Sequence, residues 1–328
     1  MTKTLEIMVL THNRLGYLKQ TISSILASTV CNIPITVLNN ASDDGTGEYL
    51  DNLAAKNSNV KYITHSTLIP ASENTKSAIN NMTCDYAVIF HDDDIMHPQF
   101  IEAALKIINE FEDIDLICTG KNTFFNVKEI ETTFYDNINL RLFKNKEDFA
   151  EFVYINKWGN DLCFPSVIYK VENLKNMQYD NNMYGKIGDK PFTICAINDG
   201  KCVYIEDAMI NYRVHENQDS KTNVNGPFDF EIINFNIFFK NMLSHSFFKR
   251  MTYNVHSWYW LKSLNKWGYP NRSIKPLIDL ALENNTVNLY TYLIGNSKYS
   301  FILKGINYCL KKIIHPKFKR AELSLNQI

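Results

Sequence analysis

The chain has 328 residues, of which 45% are hydrophobic and 21% are charged, as in an ordinary soluble globular protein. This length fits one large domain with a smaller one beside it. The formal net charge of -1 provides no overall field that would attract nucleic acid or an acidic partner, so we expect no nucleic-acid binding.

The first 120 residues alternate strand-like and helix-like segments. Short apolar runs predict strands, and apolar residues at helical spacing predict helices. The predicted strands are residues 6–11, 33–38, 60–64, 86–90 and 114–119, and the predicted helices begin near residues 15, 49 and 100. This order is typical of an α/β fold with a mainly parallel sheet and helices on both faces. Such sheets bind ligands beyond the carboxyl ends of their strands.

The rest of the chain divides into a second α/β part and a helical part. Periodicity is poor between residues 120 and 180. Later elements are predicted as a helix after Gly188-Asp189 and strands at residues 203–205 and 210–214. After a linker at residues 223–227, apolar residues recur at helical spacing with few strand signals. We therefore predict an α/β domain over residues 1–222 and a helical C-terminal region over residues 223–328.

Three consecutive aspartates, Asp92, Asp93 and Asp94, follow a predicted buried strand. Adjacent carboxylates repel one another, and a divalent cation relieves that repulsion. Mg²⁺ and Mn²⁺ are hard cations that bind one or two carboxylates together with substrate phosphates. On an extended chain Asp92 and Asp94 point to one side and Asp93 to the other, so the first two are the expected metal pair. The alternative is a solvated turn or a helix N-terminus, where aspartate is also favoured.

A second polar cluster, residues 39–46, follows the second predicted strand and reads Asn-Asn-Ala-Ser-Asp-Asp-Gly-Thr. Side chains of these types form tight loops with local hydrogen bonds. The cluster is therefore either a structural turn or a ligand-binding loop. Both polar clusters lie at the carboxyl ends of predicted strands, where a parallel sheet binds its ligand.

Six motifs over residues 5–220 together resemble the GT-A fold glycosyltransferases, and the best match is their family 2 group. The motifs are Thr11-His12-Asn13-Arg14, Asn40-x-Ser42-x-Asp44-Gly45-Thr46, Asp92-x-Asp94, Phe164-Pro165-Ser166, Tyr184 to Asp189, and Tyr212-Arg213-x-His215 with Ser220. Each motif is weak alone, and their order carries the resemblance.

The resemblance implies a GT-A (Rossmann-like) fold and an inverting glycosyltransferase. Such an enzyme moves a sugar from a nucleotide diphosphate sugar to a hydroxyl of a glycan, a lipid-linked glycan or a glycoprotein, here in bacterial polysaccharide or glycoconjugate synthesis. The implied cofactor is Mn²⁺ or Mg²⁺, held by Asp92, Asp94 and His215. Asp189 is the implied catalytic base, although it also fits a helix cap before Pro191. The implied donor-binding residues are Thr11, Asn13, Arg14, Asn39, Asn40, Ser42, Asp44, Asp92, Asp93 and Arg213.

Asn39 departs from the family pattern, which usually has aspartate where the chain meets the nucleotide base. An amide both donates and accepts hydrogen bonds, whereas an ionised carboxylate only accepts them. A UDP-sugar remains the favoured donor, and we hypothesise that Asn39 tunes the choice of nucleotide.

Residues 298–320 contain seven Lys or Arg and no Asp or Glu. The apolar residues that share one helical face there are Ile302, Ile306, Cys309, Leu310 and Ile313. A basic amphipathic helix of this kind binds an anionic membrane surface, or it packs on the α/β domain with a solvated basic face. The aromatic residues between 228 and 267 fit a core or a homo-oligomer interface.

We expect a cytoplasmic protein, with peripheral contact at the inner face of the cell membrane through residues 298–320. The N-terminal apolar stretch is too short for a signal peptide, and no window reaches the roughly 20 apolar residues of a spanning helix. The seven cysteines include no C-x-x-C pair, which gives no zinc or redox motif and fits a reducing cytosol.

Two rival functions are weaker. A sugar-nucleotide nucleotidyltransferase also uses aspartates and a metal, but it normally carries a Gly-rich basic phosphate loop near the N-terminus, which this sequence lacks. A non-catalytic nucleotide-sugar or glycan-binding module would not need Asp189 together with all three aspartates. The walls that select the sugar, the acceptor and the linkage are expected in residues 120–180 and in the helical tail.

Overall fold

The computed structural model describes residues 2–153, 162–179, 181–185, 188–216, 229–242, 275–284 and 318–325, with a few further residues between 253 and 308. The predicted boundary at residues 222 and 223, the linker at residues 223–227 and Ser220 lie outside the described residues. So does most of the predicted basic helix.

The N-terminal half is a regular β/α alternation. Its elements are β1 (Leu5–Thr11), α1 (Leu15–Leu26), β2 (Ile35–Asn39), α2 (Thr46–Lys56), β3 (Val60–Thr64), α3 (Ala71–Asn81), β4 (Tyr86–His91), β5 (Ile95–Met96), α4 (Phe100–Glu110) and β6 (Ile114–Phe124). All five strands and three helices predicted there are confirmed. Helix α3 was not predicted, because only Ala78 and Ile79 supply its apolar buried surface.

The second half adds shorter and more mixed elements. They are β7 (Asn137–Phe143), α5 (Lys146–Glu151), β8 (Val167–Lys170), α6 (Val171–Asn176), α7 (Asn181–Tyr184), α8 (Asp189–Cys195), β9 (Lys201–Arg213), α9 (Asp229–Met242), α10 (Lys275–Glu283) and β10 (Phe318–Ser324). Two short 3-10 helices, Val127–Glu129 and Phe164–Ser166, follow β6 and precede β8.

The strands form one sheet in the order β10-β7-β9-β6-β8-β4-β1-β2-β3, with β5 paired to β9. Strands β4, β1, β2 and β3 are mutually parallel, and so are β6 and β9. Strand β8 is antiparallel to both of its neighbours, β4 and β6. The carboxyl ends of β1, β2, β4 and β6 therefore meet at one edge of the sheet. The predicted α/β fold is confirmed, with antiparallel strands added to its parallel part.

Helices cover both faces of this sheet, because successive residues of a strand point to opposite faces. In β1, Ile7 and Val9 belong to the apolar layer that includes Leu18 of α1. Met8 belongs to the opposite layer, which includes Phe239 of α9. Helix α9 of the C-terminal region is thus packed into the same core as the sheet.

Strand β9 is one long strand where the sequence predicted two short ones. Two acidic residues, Glu206 and Asp207, interrupt its apolar pattern and mimic a turn. In the structure both are bound to β7: Glu206 pairs with Arg141, and Asp207 Oδ2 accepts a hydrogen bond from the Asn139 amide at 3.0 Å. The pairing of β9 with β6 is irregular on both sides of Gly120.

Strand β10 corrects the prediction that residues 298–320 form one helix. Residues 318–324 pair antiparallel with β7 and close that edge of the sheet. Leu323 and Leu325 are buried, which is the alternating pattern of a half-buried strand. Among the described residues, no helix is long and apolar enough to cross a membrane.

Candidate functional site

The acidic residues after β4 form a turn that is held by the end of β1 and by α1. Asp92 is buried, and its Oδ2 accepts a hydrogen bond from Thr11 Oγ1 at 2.7 Å. Arg14 Nη1 lies 3.3 Å from Asp92 Oδ1 and also 3.3 Å from Asp93 Oδ2. Thr21 Oγ1 lies 2.8 Å from the carbonyl oxygens of both Asp92 and Asp94. These contacts connect three predicted site residues, Thr11, Arg14 and Asp92.

The expectation that Asp93 points away from Asp94 is wrong. It assumed an extended chain, whereas Asp92 and Asp93 lie in a turn. The Asp93 carboxylate faces the same space as Asp94, and its Oδ2 lies 3.0 Å from His215 Nε2. The structure thus brings the predicted residue His215 onto Asp93.

Arg213 fixes this acidic turn from β9. Its backbone amide donates to Asp94 Oδ1 at 2.9 Å, and its Nε donates to the Asp93 carbonyl at 2.7 Å. Its Nη2 donates to Gln20 Oε1 at 2.8 Å, and the guanidinium stacks 4.6 Å from the centroid of the Tyr17 ring. Arg213 is therefore committed to protein groups, and its contact with a phosphate stays a prediction.

The residues of the turn fit a divalent cation. One ligand atom from each of His91, Asp93 and Asp94 lies within 4.8 Å of the others. Within the described structure, the buried atoms Asp94 Oδ2 and His215 Nδ1 have no hydrogen-bond partner. Carboxylate oxygens suit Mn²⁺ and Mg²⁺, and an unsatisfied buried carboxylate oxygen is costly without a cation. His91 was missed in the sequence because a single histidine at a strand end forms no motif.

Burial also disfavours the ionised form of the carboxyl groups in the turn. Burial and the charge of Asp93 raise the pKa of Asp92 to about 6, against the lowering effect of Arg14 and Thr11. Burial and the same neighbour raise the pKa of Asp94 well above its usual value. A bound cation would offset both effects.

The loops after β1 and β2 are hydrogen-bonded to each other. The Asn13 amide donates to Ser42 Oγ at 2.9 Å, and Asn13 Oδ1 accepts from the Asp43 amide at 2.9 Å. His12 Nδ1 lies 2.7 Å from the Asn40 carbonyl oxygen. Asn13 adopts a left-handed conformation with φ 49°, which asparagine tolerates well. Two predicted donor-binding loops therefore form one rigid wall.

Asn39 and Asn40 are buried inside this wall. Asn39 Oδ1 accepts a hydrogen bond from the Ser42 amide at 3.1 Å, and its Nδ2 donates to Thr64 Oγ1 at 3.4 Å. The Asn40 side chain pairs with the backbone of Ile69, donating at 2.9 Å and accepting at 3.0 Å. These bonds explain both residues structurally, and their contacts with a nucleotide stay predictions.

Asp44 joins the first turns of two helices. Its carboxylate accepts hydrogen bonds from the Leu15 amide at 2.8 Å and from Thr46 Oγ1 at 2.6 Å. Burial raises the pKa of Asp44, but these hydrogen bonds outweigh burial and leave the pKa lowered. Asp44 thus satisfies amides at helix N-termini, as aspartate commonly does. Its predicted contact with the donor is not needed to explain its position.

Asp189 begins α8, and its Oδ1 accepts a hydrogen bond from the Lys190 amide at 3.0 Å. A Cβ on Gly188 would lie 2.6 Å from the Tyr179 hydroxyl oxygen and 3.0 Å from the Gly185 carbonyl oxygen, so a larger residue would require Tyr179 to shift. That hydroxyl donates to the Gly188 carbonyl at 2.7 Å. Asp189 therefore begins a helix, as predicted, and its carboxylate is still partly exposed. Its role as a base stays a prediction.

The Tyr212 hydroxyl responds to the charges of both Asp189 and the acidic turn. Burial raises the pKa of the Tyr212 hydroxyl, and the charges of Asp94, Asp93 and Asp189 raise it further. The charges of Asp94 and Asp189 also raise the pKa of the buried Cys163 thiol. The charges of both carboxylates therefore act on the same two groups, so Asp189 lies within electrostatic range of Tyr212 and Cys163.

Comparisons with known proteins identify the family of the chain. A sequence profile described as Glycosyl transferase family 2 matches residues 6–177. Glycosyltransferase GlyA of Streptococcus pneumoniae is 24% identical over 230 residues, which are 66% of this chain and 31% of GlyA. The uncharacterized glycosyltransferase RP339 of Rickettsia prowazekii is 24% identical, and the match covers 94% of each chain.

A solved structure has the same fold. Residues 1–349 of S. aureus TarS, in complex with UDP-GlcNAc, superpose with a TM-score of 0.61 at 14% identity. The superposition covers 99% of this chain and 97% of that one.

Proposed function

This chain belongs to glycosyl transferase family 2, and from that premise we propose an inverting, metal-dependent transferase that uses a UDP-sugar. The chain has the GT-A fold, and it is a glycosyltransferase. The observation that carries the proposal is the buried acidic turn, in which Asp94 Oδ2 lacks a hydrogen-bond partner among the described residues. The charge of Asp189 acts on Tyr212 and Cys163, which also respond to the charge of Asp94, and this supports Asp189 as the base.

We propose that the donor lies along the wall formed by the loops after β1 and β2. A TarS structure holds UDP-GlcNAc and another holds UDP, which supports a UDP-sugar for this chain. The donor-binding residues we propose are Thr11, Asn13, Arg14, Asn39, Asn40, Ser42, Asp44, Asp92, Asp93 and Arg213. The divalent ion, Mn²⁺ or Mg²⁺, would be held by Asp94 with Asp92 and His215, and His91 and Asp93 offer further ligand atoms. When bound, it would neutralise charge on the leaving diphosphate.

Asp189 is the proposed general base. It would take the proton from the acceptor hydroxyl while that oxygen attacks the anomeric carbon from the face opposite the diphosphate, which inverts the configuration. Burial and the nearby acidic charges raise the pKa of Tyr212, so its hydroxyl stays protonated and can donate a hydrogen bond to a bound substrate.

The direct test measures release of free nucleoside diphosphate from a panel of UDP-, GDP- and dTDP-sugars with Mn²⁺. We expect release from a UDP-sugar and the tightest binding for UDP. If Asn39 sets the nucleotide preference, Asn39→Asp will change the ranking of UDP, GDP and dTDP. Binding without release from any donor would support a non-catalytic module. Pyrophosphate formed from a nucleoside triphosphate and a sugar phosphate would support a nucleotidyltransferase.

We propose that the catalytic domain ends at residue 222 and that the C-terminal region begins at residue 223. This region would contact the acceptor, a second copy or a membrane surface. Exposed apolar side chains support a membrane contact: Phe301 is 64% exposed and Tyr308 is 61% exposed, whereas Leu303 is 3% exposed. These residues lie in the basic segment 298–320. A peripheral position at the inner face of the membrane would suit a lipid-linked glycan acceptor from a bacterial glycoconjugate.

Flotation with lipid vesicles tests this contact. We expect the full chain to float with phosphatidylglycerol vesicles but not with phosphatidylcholine vesicles, since basic segments bind anionic surfaces. The double variant Phe301→Ser with Tyr308→Ser should lose most of this binding. Substitution is preferable to truncation at residue 298, which would remove β10 from the sheet. Leu68→Ser, at a position 62% exposed on the loop after β3, is the matched control. Equal flotation of all variants would exclude the contact.

A further inference from the structure

Lys121 lies on β6 at an irregular point of the sheet. The register between β6 and β9 shifts on both sides of Gly120, directly before Lys121. Such bulges re-aim side chains and are common beside active sites. The Lys121 ammonium lies 4.0 Å from the centroid of the Tyr212 ring. The Lys121 side chain is therefore directed at the ring of Tyr212.

Lys121 is linked to the acidic turn through its contact with the Tyr212 ring. Tyr212 directly precedes Arg213, whose amide donates to Asp94 Oδ1 at 2.9 Å. The charge of Lys121 also lowers the pKa of Asp94, although burial and Asp93 dominate and raise it overall. The Tyr212 ring, which the Lys121 ammonium contacts, is thus one residue from the amide that binds Asp94.

The charge of Lys121 also acts on groups near Asp189. Its charge lowers the pKa of the Lys190 ammonium, after burial as the main cause, and opposes the rise in the pKa of the Cys163 thiol. Cys163 responds to the charges of Lys121, Asp94 and Asp189 together. The charge of Lys121 therefore acts on groups that also respond to Asp94 and to the proposed base.

Lys121 differs from the two arginines of the site in having unused hydrogen-bond donors. Arg14 and Arg213 bind acidic or carbonyl oxygens of the protein. Across the described ranges, Lys121 makes no hydrogen bond or ion pair, and its side chain is only partly exposed. An ammonium has three hydrogen-bond donors, and an unconstrained lysine side chain usually keeps its charged end in water. A partly buried ammonium that pairs with no carboxylate among the described residues suits an anionic ligand.

We propose that Lys121 is a catalytic residue that donates a hydrogen bond to the β-phosphate of the donor. This inference rests on the proposed transfer from a nucleotide diphosphate sugar. When the bond between the anomeric carbon and the phosphate oxygen breaks, its electron pair stays on that oxygen, and the ammonium of Lys121 stabilises the added charge. The proton of the acceptor hydroxyl goes to Asp189, so charge and atoms balance.

The test compares Lys121→Met with Lys121→Arg by titration of UDP and of UMP in the presence of Mn²⁺. Loss of a charge-assisted hydrogen bond to the β-phosphate should weaken UDP binding about 10- to 100-fold and leave UMP binding unchanged. Lys121→Arg should retain most of the UDP affinity. With a donor sugar, Lys121→Met should lower kcat by more than it changes KM, because the charge develops as the bond breaks.

A matched control separates this role from support of the Tyr212 ring. Lys19 lies 5.4 Å from the centroid of the Tyr49 ring, so Lys19→Met removes a similar contact outside the pocket. It should leave UDP and UMP affinities unchanged. Equal weakening of UDP and UMP by Lys121→Met, or wild-type affinity for both, overturns the inference. If the wild-type protein itself binds no UDP and releases no diphosphate, the proposed function fails instead.

Discussion

Asp189→Asn should lower turnover by about 10²–10⁴-fold, the range typical of general base catalysis, and should leave donor affinity near that of the wild type. The amide has the shape of the carboxylate but cannot take a proton from the acceptor hydroxyl. Its oxygen can still accept the hydrogen bond from the Lys190 amide, so the start of α8 is retained. Initial rates at saturating donor, with UDP titrations of both proteins, measure the two effects separately.

The same substitution distinguishes a base from a helix cap. If Asp189 only stabilises the first turn of α8, Asn will replace it at small cost and turnover will stay near wild type. That result would remove Asp189 from the mechanism. Asp199→Asn is the matched control, because Asp199 is an exposed aspartate in the turn after α8. It should leave both turnover and melting temperature unchanged.

The sequence predicted the parallel half of the sheet well because each strand there is a continuous apolar run. In β4, residues 86–90 are all fully or almost fully buried, and a run of this kind has few other interpretations. Strands β7 and β10 were not predicted. Their residues alternate between buried and exposed positions and include Arg141 and Arg320, so they resemble segments of a polar surface. Pairing across a separation of about 180 residues is not encoded in either segment alone.

The order of motifs predicted which residues would meet, but it did not predict what each would contact. Thr11 and Asp92 are 81 residues apart and form a buried hydrogen bond. Arg213 is 119 residues from Asp94 and binds it through the backbone amide, which no side-chain pattern reveals. Asp93 was assigned to the wrong side because alternation holds only for an extended chain, and here the chain turns. Side-chain direction at a strand end depends on the turn that follows it.

Asp94→Asn should abolish the stabilisation of the protein by Mn²⁺ and lower turnover on the order of 10³-fold, since a catalytic metal supplies several kcal/mol. The amide oxygen can still accept the hydrogen bond from the Arg213 amide, so the turn is retained. What is lost is the buried negative charge at Oδ2, which has no hydrogen-bond partner among the described residues. Metal binding, rather than folding, should therefore fail.

Thermal unfolding with and without Mn²⁺ checks this expectation. A metal present at 100 times its dissociation constant stabilises the wild type by about 2.7 kcal/mol, which raises the melting temperature measurably. For Asp94→Asn, that increase should disappear. Without metal, the variant should melt no lower than the wild type, because the substitution removes one of three buried aspartates, and its carboxylate is repelled by Asp93. A full Mn²⁺-induced increase in the melting temperature of Asp94→Asn, together with unchanged turnover, would contradict the assignment of Asp94 as a ligand. His91 and Asp93 would then be the next candidate ligands.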